Sequence, residues 1–206
     1  GAAHIGVLKV LEEYRVPIHF IAGTSMGSIV GASYASGMSV AEMEAAIALI
    51  TTEKLFTDNP PRRDEPIQIK IYDYLPLASP QLGFSYKRGF ELPKGLVSGV
   101  ALEGELRKLV KVSGFHDFND LPIPFRAVST NLATGQMVVF DRGELPSAMR
   151  ASMAVPGLVA PLSYDGQLLV DGGLVRNLPV DVARKMGADV VIAVNLGTPL
   201  MKPEEI

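Results

Sequence analysis

The sequence contains no cysteine. That excludes a thiol nucleophile, a disulfide framework and any zinc site built on cysteine. Histidine is scarce, with three in 206 residues. No apolar run approaches the roughly 18 residues of a membrane-spanning helix. Basic charge is not in excess: 19 Lys and Arg stand against 22 Asp and Glu, a net charge of −3. A nucleic-acid partner therefore has no electrostatic support.

What remains is an ordinary globular balance, 48% hydrophobic and 20% charged. The length suits one substantial core, so residues 1–206 are expected to form a single domain. The chain opens at Gly1 without Met, directly on a helical pattern. It is expected to be a piece of a longer protein, with any signal peptide outside it.

Residues 2–14 place Ile5, Leu8 and Leu11 on one side and Lys9, Glu12 and Glu13 on the other, the pattern of a helix ended by Pro17. Residues 18–22 read as a buried strand, followed by a small-residue helix over about 25–37. Ser39-Val40-Ala41-Glu42 is a capping box that opens a helix over about 40–51. A further helix is expected at 99–111. Strands at 125–130 and 137–140 flank a turn at 133–136, and a short helix follows at 145–152. Asp165-Gly166 marks a hairpin between 162–164 and 167–170. A last helix at 180–186 stops at Gly187, and Val190–Val194 is a continuous apolar strand. Helices alternating with buried strands imply an α/β protein with helices on both faces of the sheet.

Residues 52–98 differ in character. They carry six prolines and an aromatic set of Phe56, Tyr72, Tyr74, Phe84, Tyr86 and Phe90, with basic side chains among acids. Such a long irregular insertion reads either as a lid or lipid-contacting loop, or as a segment packed onto the core through its aromatics.

The most informative feature is Gly23-Thr24-Ser25-Met26-Gly27, placed between the strand at 18–22 and the small-residue helix. Strand, sharp turn with a serine, then helix is how a Gly-x-Ser-x-Gly elbow exposes a nucleophilic hydroxyl. The glycines Gly23 and Gly27 relieve crowding, and the helix aims its first amides at the same point. The alternative is a Gly-rich turn with Ser25 as a passive N-cap. A serine nucleophile needs a base. His4, His19 and His116 have no marked catalytic setting. Asp171, at the end of the apolar run Leu168-Leu169-Val170 and before Gly172-Gly173, is the better candidate. Open α/β sheets place their sites at strand ends of this kind. Taken alone, Asp171 also fits a tight glycine turn.

Together, Gly23–Gly27 and Asp171-Gly172-Gly173 resemble the patatin-like phospholipases. Gly1–Leu8, Ala127–Gly135 and Ala151–Pro156 extend the likeness over nearly the whole chain. It is strongest toward bacterial members, including those linked to an outer-membrane β-barrel. The resemblance implies a three-layer α/β/α fold with a mostly parallel central sheet. It implies a lipid acyl hydrolase with Ser25 as nucleophile and Asp171 as general base, using no His, metal or cofactor. The Met26 amide would serve the oxyanion, with Gly1 as the last glycine of a loop lying mostly upstream. Substrates would be phospholipids or other acyl esters, with membrane-surface contact; a Gram-negative envelope or secreted location is favoured, and a cytoplasmic one is left open. A homodimer is left open. Ser152 and Pro156 would shape the site. The family carries Asp where Asn131 stands, at a position read as structural. The competing reading is a non-catalytic lipid-binding or assembly module on the same fold.

Overall fold

A computed structural model describes residues 1–49, 83–85, 89–91, 95–97 and 99–197. Apart from three short strands, the insertion at 52–98 lies outside the described residues. So does the end of the helix expected to reach residue 51.

The elements in chain order are α1 (Ala2–Glu13), β1 (Ile21–Thr24), α2 (Met26–Ala35) and α3 (Val40–Leu49). Then come β2 (Gly83–Ser85), β3 (Gly89–Glu91), β4 (Gly95–Val97), α4 (Val100–Arg107) and β5 (Phe115–Asp117). Next are β6 (Phe125–Asn131), β7 (Met137–Phe140), β8 (Arg142–Glu144) and α5 (Leu145–Ser152). The last are β9 (Gly157–Val159), β10 (Leu162–Tyr164), β11 (Gln167–Asp171), α6 (Gly173–Arg176) and α7 (Val180–Lys185).

The chain is of the α/β class, and its central sheet is organised by β6. Phe125–Val128 of β6 pairs in parallel with β1, and Ser129–Asn131 pairs antiparallel with β11. β7 pairs antiparallel with Ala127–Thr130. That span overlaps both other pairings, so β7 takes the opposite edge of β6, and β1 and β11 share one edge end to end. β10 folds back on β11 through Asp165 and Gly166, both at positive φ (47° and 71°). Two positive φ values make the tight hairpin turn that matches strand twist.

The sheet is thus mixed, where a mostly parallel one was expected. Helix–strand alternation suggests crossover connections, but β6–β7 and β10–β11 are joined by short turns that force antiparallel pairing. Helices lie on both faces. Successive strand residues point to opposite sides. A Cβ on Gly31 of α2 would lie 2.8 Å from Ile21, whereas one on Gly187, just past α7, would lie 3.8 Å from Phe20. The close approach of α2 explains its small residues. It lets Phe125 pack fully buried against both the helix and Phe118, ring centroids 6.2 Å apart. Burying such a side chain is worth roughly 1.5–3 kcal/mol.

Two local expectations change. α1 ends at Glu13, and Arg15 then enters the left-handed region (φ 53°), with the Val16 amide reaching back to the Leu11 carbonyl, before Pro17 is reached. Val190–Val194 forms no strand. It has no ladder partner among the described residues, and Val190 and Ile192 are 82% and 57% exposed. Together with β1 and α1, this segment lines a cavity of about 720 Å³. The capping box holds: the Ser39 amide donates to Glu42 Oε2 (2.8 Å), and Ser39 Oγ accepts the Glu42 amide (3.2 Å). No described helix is long and apolar enough to cross a membrane.

Candidate active site

The register of the sheet creates the site. β1 ends with Thr24 opposite Val128, and β11 ends with Asp171 opposite the next residue, Ser129. The two strands run toward each other along one edge of β6, so their C-terminal ends meet. The residue after β1, Ser25, is delivered to the last residue of β11.

Ser25 adopts φ 51°, ψ −121°. A non-glycine residue pays about 1–3 kcal/mol for a conformation of this kind, so the surroundings must hold it. They do so through close packing. A Cβ on Gly23 would lie 2.4 Å from the Gly27 carbonyl oxygen, and one on Gly172 would lie 2.2 Å from the Val128 carbonyl oxygen. Ser28 Oγ donates to the Ser25 carbonyl (2.7 Å), and Thr24 Oγ1 donates to the Arg176 carbonyl (2.8 Å), tying the elbow to α6.

With the backbone turned this way, Ser25 Oγ donates to Asp171 Oδ2 at 2.7 Å. The other carboxylate oxygen, Oδ1, accepts the Gly173 amide at 2.6 Å, at the start of α6. Asp171 is buried, at 7% exposure. Both of its oxygens are engaged, so its orientation toward the serine is fixed. Met26 and Gly27 open α2, and the first amides of a helix have no acceptor within it. They supply hydrogen-bond donors and the positive end of the helix dipole beside Ser25.

The histidines do other things. His116 Nε2 pairs with the Ser113 carbonyl (2.9 Å). His4 Nε2 would lie 3.6 Å from a Cβ on Gly27, which sets the first turn of α1 against the elbow, and burial lowers the His4 pKa. Gly1 heads that same turn, its carbonyl accepting the His4 and Ile5 amides. Asn131 makes a local turn: its Oδ1 accepts the Ala133 and Thr134 amides (2.9 and 3.2 Å), and its Nδ2 donates to Gln167 (2.9 Å). Among the described residues, no group of three or more His, Asp or Glu side chains is placed to hold a metal ion. The sequence pattern offered no sign of the Thr24 and Ser28 contacts. Single hydroxyl residues in small-residue stretches carry no signal of their partners.

Apolar side chains next in chain to this constellation face solvent. Met26 follows Ser25, Leu174 and Val175 follow Asp171-Gly172-Gly173, and Val155 follows Ala154; all four are exposed. Exposed apolar residues thus lie within four positions in the chain of the polar pair or of its backbone partners.

A strained serine between strand and helix, with a carboxylate brought to it by an opposing strand, is the strand–turn–helix arrangement of a Gly-x-Ser-x-Gly elbow in an α/β protein. The chain belongs to the patatin-like phospholipase family, whose family model matches residues 1–184. It is 34% identical over 203 residues to patatin-like phospholipase domain-containing protein 6 of Mus musculus, covering 96% of this chain and 13% of that protein. It is 29% identical over 199 residues to lysophospholipase NTE1 of Candida albicans, covering 96% of this chain and 12% of that one. An NTE family protein of Mycobacterium tuberculosis is 34% identical over 196 residues, covering 95% and 46% respectively. The chain thus spans about an eighth of the mouse and Candida proteins and under half of the mycobacterial one.

Proposed function

We propose that this chain is a lipid acyl hydrolase domain of phospholipase A or lysophospholipase type, working through a Ser25–Asp171 dyad. The observation that carries this reading is the 2.7 Å hydrogen bond from Ser25 Oγ to Asp171 Oδ2. It lies within the reach a nucleophile and its base require.

In the first half-reaction, Asp171 accepts the hydroxyl proton as Ser25 Oγ attacks the ester carbonyl carbon. The carbonyl becomes an oxyanion, held by the Met26 amide. Gly1 would supply a further donor. Each such donor is worth roughly 10²–10³ in rate. Collapse breaks the bond to the alcohol, which takes the proton from Asp171 and leaves an acyl-serine. In the second half, Asp171 takes a proton from water, the hydroxide equivalent attacks the acyl-serine, and Ser25 recovers its proton as the fatty acid departs. Neither metal nor cofactor enters these steps.

A fatty-acyl ester suits the surroundings. Exposed Met26, Val155, Leu174 and Val175, near the pair or its backbone partners in the chain, offer apolar contact to an acyl chain or a lipid surface. The names of the mouse and Candida relatives point to the same substrate class.

The test is covalent labelling with a fluorophosphonate, mass mapping of the adduct, and a panel of phospholipids and lysophospholipids. An adduct on Ser25, absent in Ser25→Ala and slowed in Asp171→Asn, supports the hydrolase. No adduct on the full-length protein overturns it, and retained lipid binding in that case would favour a non-catalytic module.

A further inference from the structure

We propose that Ser152 is a positioning residue for the nucleophile, and that the segment Ser152–Ala154 sets the spacing between Ser25 and Asp171. This rests on the hydrolase reading above.

Ser152 is the last residue of α5 and is fully buried. Its Oγ donates to the Val128 carbonyl at 2.6 Å and accepts the Ser25 amide at 2.9 Å. A hydroxyl has one proton. Because that proton goes to Val128, the lone pairs are what face Ser25, and the direction of the bond is fixed. The hydroxyl therefore links the backbone of β6 to the backbone of the strained serine.

The same short segment holds the base. The Ser152 carbonyl accepts the Gly172 amide at 3.3 Å, and the Ala154 carbonyl accepts the Asp171 amide at 2.9 Å. Nucleophile and carboxylate come from elements about 146 positions apart in the chain, yet both backbones are pinned to residues 152–154. β6 contributes a second tie on the base side, with Thr130 Oγ1 donating to the Asp171 carbonyl at 2.9 Å. Moving Ser152 would move Ser25 relative to Asp171. Removing its hydroxyl takes the acceptor from the part-buried Ser25 amide and a donor from the buried Val128 carbonyl, and that penalty falls on the elbow conformer.

The experiment uses the full-length protein with Ser152→Ala and Ser152→Thr. The readouts are the rate of fluorophosphonate labelling at Ser25, kcat and KM on a soluble short-chain nitrophenyl ester, and the melting temperature. Ser152→Ala is expected to slow labelling and kcat by about 10- to 100-fold while KM stays within about twofold. Ser152→Thr, which keeps the hydroxyl, is expected to recover most of that loss. A folded Ser152→Ala variant that labels at the wild-type rate overturns the proposal, as does a loss that tracks only the unfolded fraction.

Hydrogen exchange of the Ser25 amide in the unmutated protein decides the matter if Ser152→Ala does not fold. Protection of about 100-fold or more supports the clamp, and exchange at the rate of a free amide overturns it. Wild-type labelling is the control for the hydrolase reading. Should the wild type not label, that reading fails, while exchange at Ser25 still judges the clamp.

Discussion

Thr24 and Asp171 end their strands opposite consecutive residues of β6, Val128 and Ser129. One strand arrives parallel to β6 and the other antiparallel, so the two chain ends are aimed at one point. The serine after Thr24 then needs only one turn of backbone to reach the carboxylate. The mixed pairing is thus what creates the site. Two parallel neighbours of β6 would both end at its C-terminal side on opposite edges, and could not meet head to head.

Removing either member of this pair tests the chemistry. Ser25→Ala is expected to abolish ester hydrolysis and covalent labelling. Asp171→Asn keeps an oxygen for the Gly173 amide but cannot accept the serine proton, and is expected to lower kcat by about 10²–10⁴. Steady-state kinetics on a soluble ester, with circular dichroism to verify folding, checks both. Retention of more than a tenth of the wild-type kcat in Asp171→Asn would rule out its role as base.

The glycines around the pair are not equivalent. A Cβ on Gly172 would sit 2.2 Å from the Val128 carbonyl oxygen, a backbone atom that cannot turn aside. Gly172→Ala must therefore displace the end of β11 or β6, and is expected to destabilise the fold by about 1–3 kcal/mol. Gly27 lies in α2, and its Cβ would meet only the His4 ring at 3.6 Å, an ordinary contact. Gly27→Ala is expected to be neutral, or stabilising by up to about 1 kcal/mol through helix propensity. Denaturant melts of the two variants should separate clearly. Equal destabilisation would show that the elbow glycine serves more than space.

Much of the scaffold was legible in the sequence where signals are local. The capping box at Ser39–Glu42, the Asp165-Gly166 hairpin and the helix at 145–152 all formed where side-chain chemistry or φ preference dictates. Three-residue strands such as β5, β8 and β9 escaped, because a period of two cannot be recognised over so few residues. Val190–Val194 misled, since an apolar run shows affinity for burial but not the presence of a ladder partner. Ser25 and Asp171 each stood out through neighbouring glycines. Their juxtaposition depends on strand register, which no local pattern specifies. The Ser152–Ser25 bond spans 127 positions, and a lone serine in a helix gives no sign of such reach.

Acid should loosen the packing of α3. The hydrogen bond from Lys111, then those from the Ser39 amide and hydroxyl, hold the Glu42 pKa down to about 2 from an ordinary 4.5. A carboxylate with a depressed folded pKa contributes stability that is present above the unfolded value and lost as pH falls through the folded value. The contribution is expected to be full above about pH 4.5 and to disappear toward pH 2. Glu42→Gln should have a lower melting temperature than wild type at pH 6, with the difference shrinking as pH falls to 2. The side chain is exposed, so high salt should reduce the effect. A difference independent of pH would assign the contribution to capping geometry rather than charge.

If the substrate is presented at a lipid surface, these exposed apolar residues should matter there and not in solution. Leu174 is 62% exposed and lies three residues after Asp171. Inserting one leucine into the acyl region is worth roughly 1.5–3 kcal/mol, or about 10- to 150-fold in partitioning. Leu174→Ser should therefore weaken sedimentation with phosphatidylcholine vesicles and vesicle hydrolysis by about that factor. On a soluble nitrophenyl ester, whose small acyl group needs no surface, kcat/KM should change less than threefold. Equal losses on both substrates would place Leu174 in contact with the acyl group itself, while no loss on either would remove it from the lipid-binding surface.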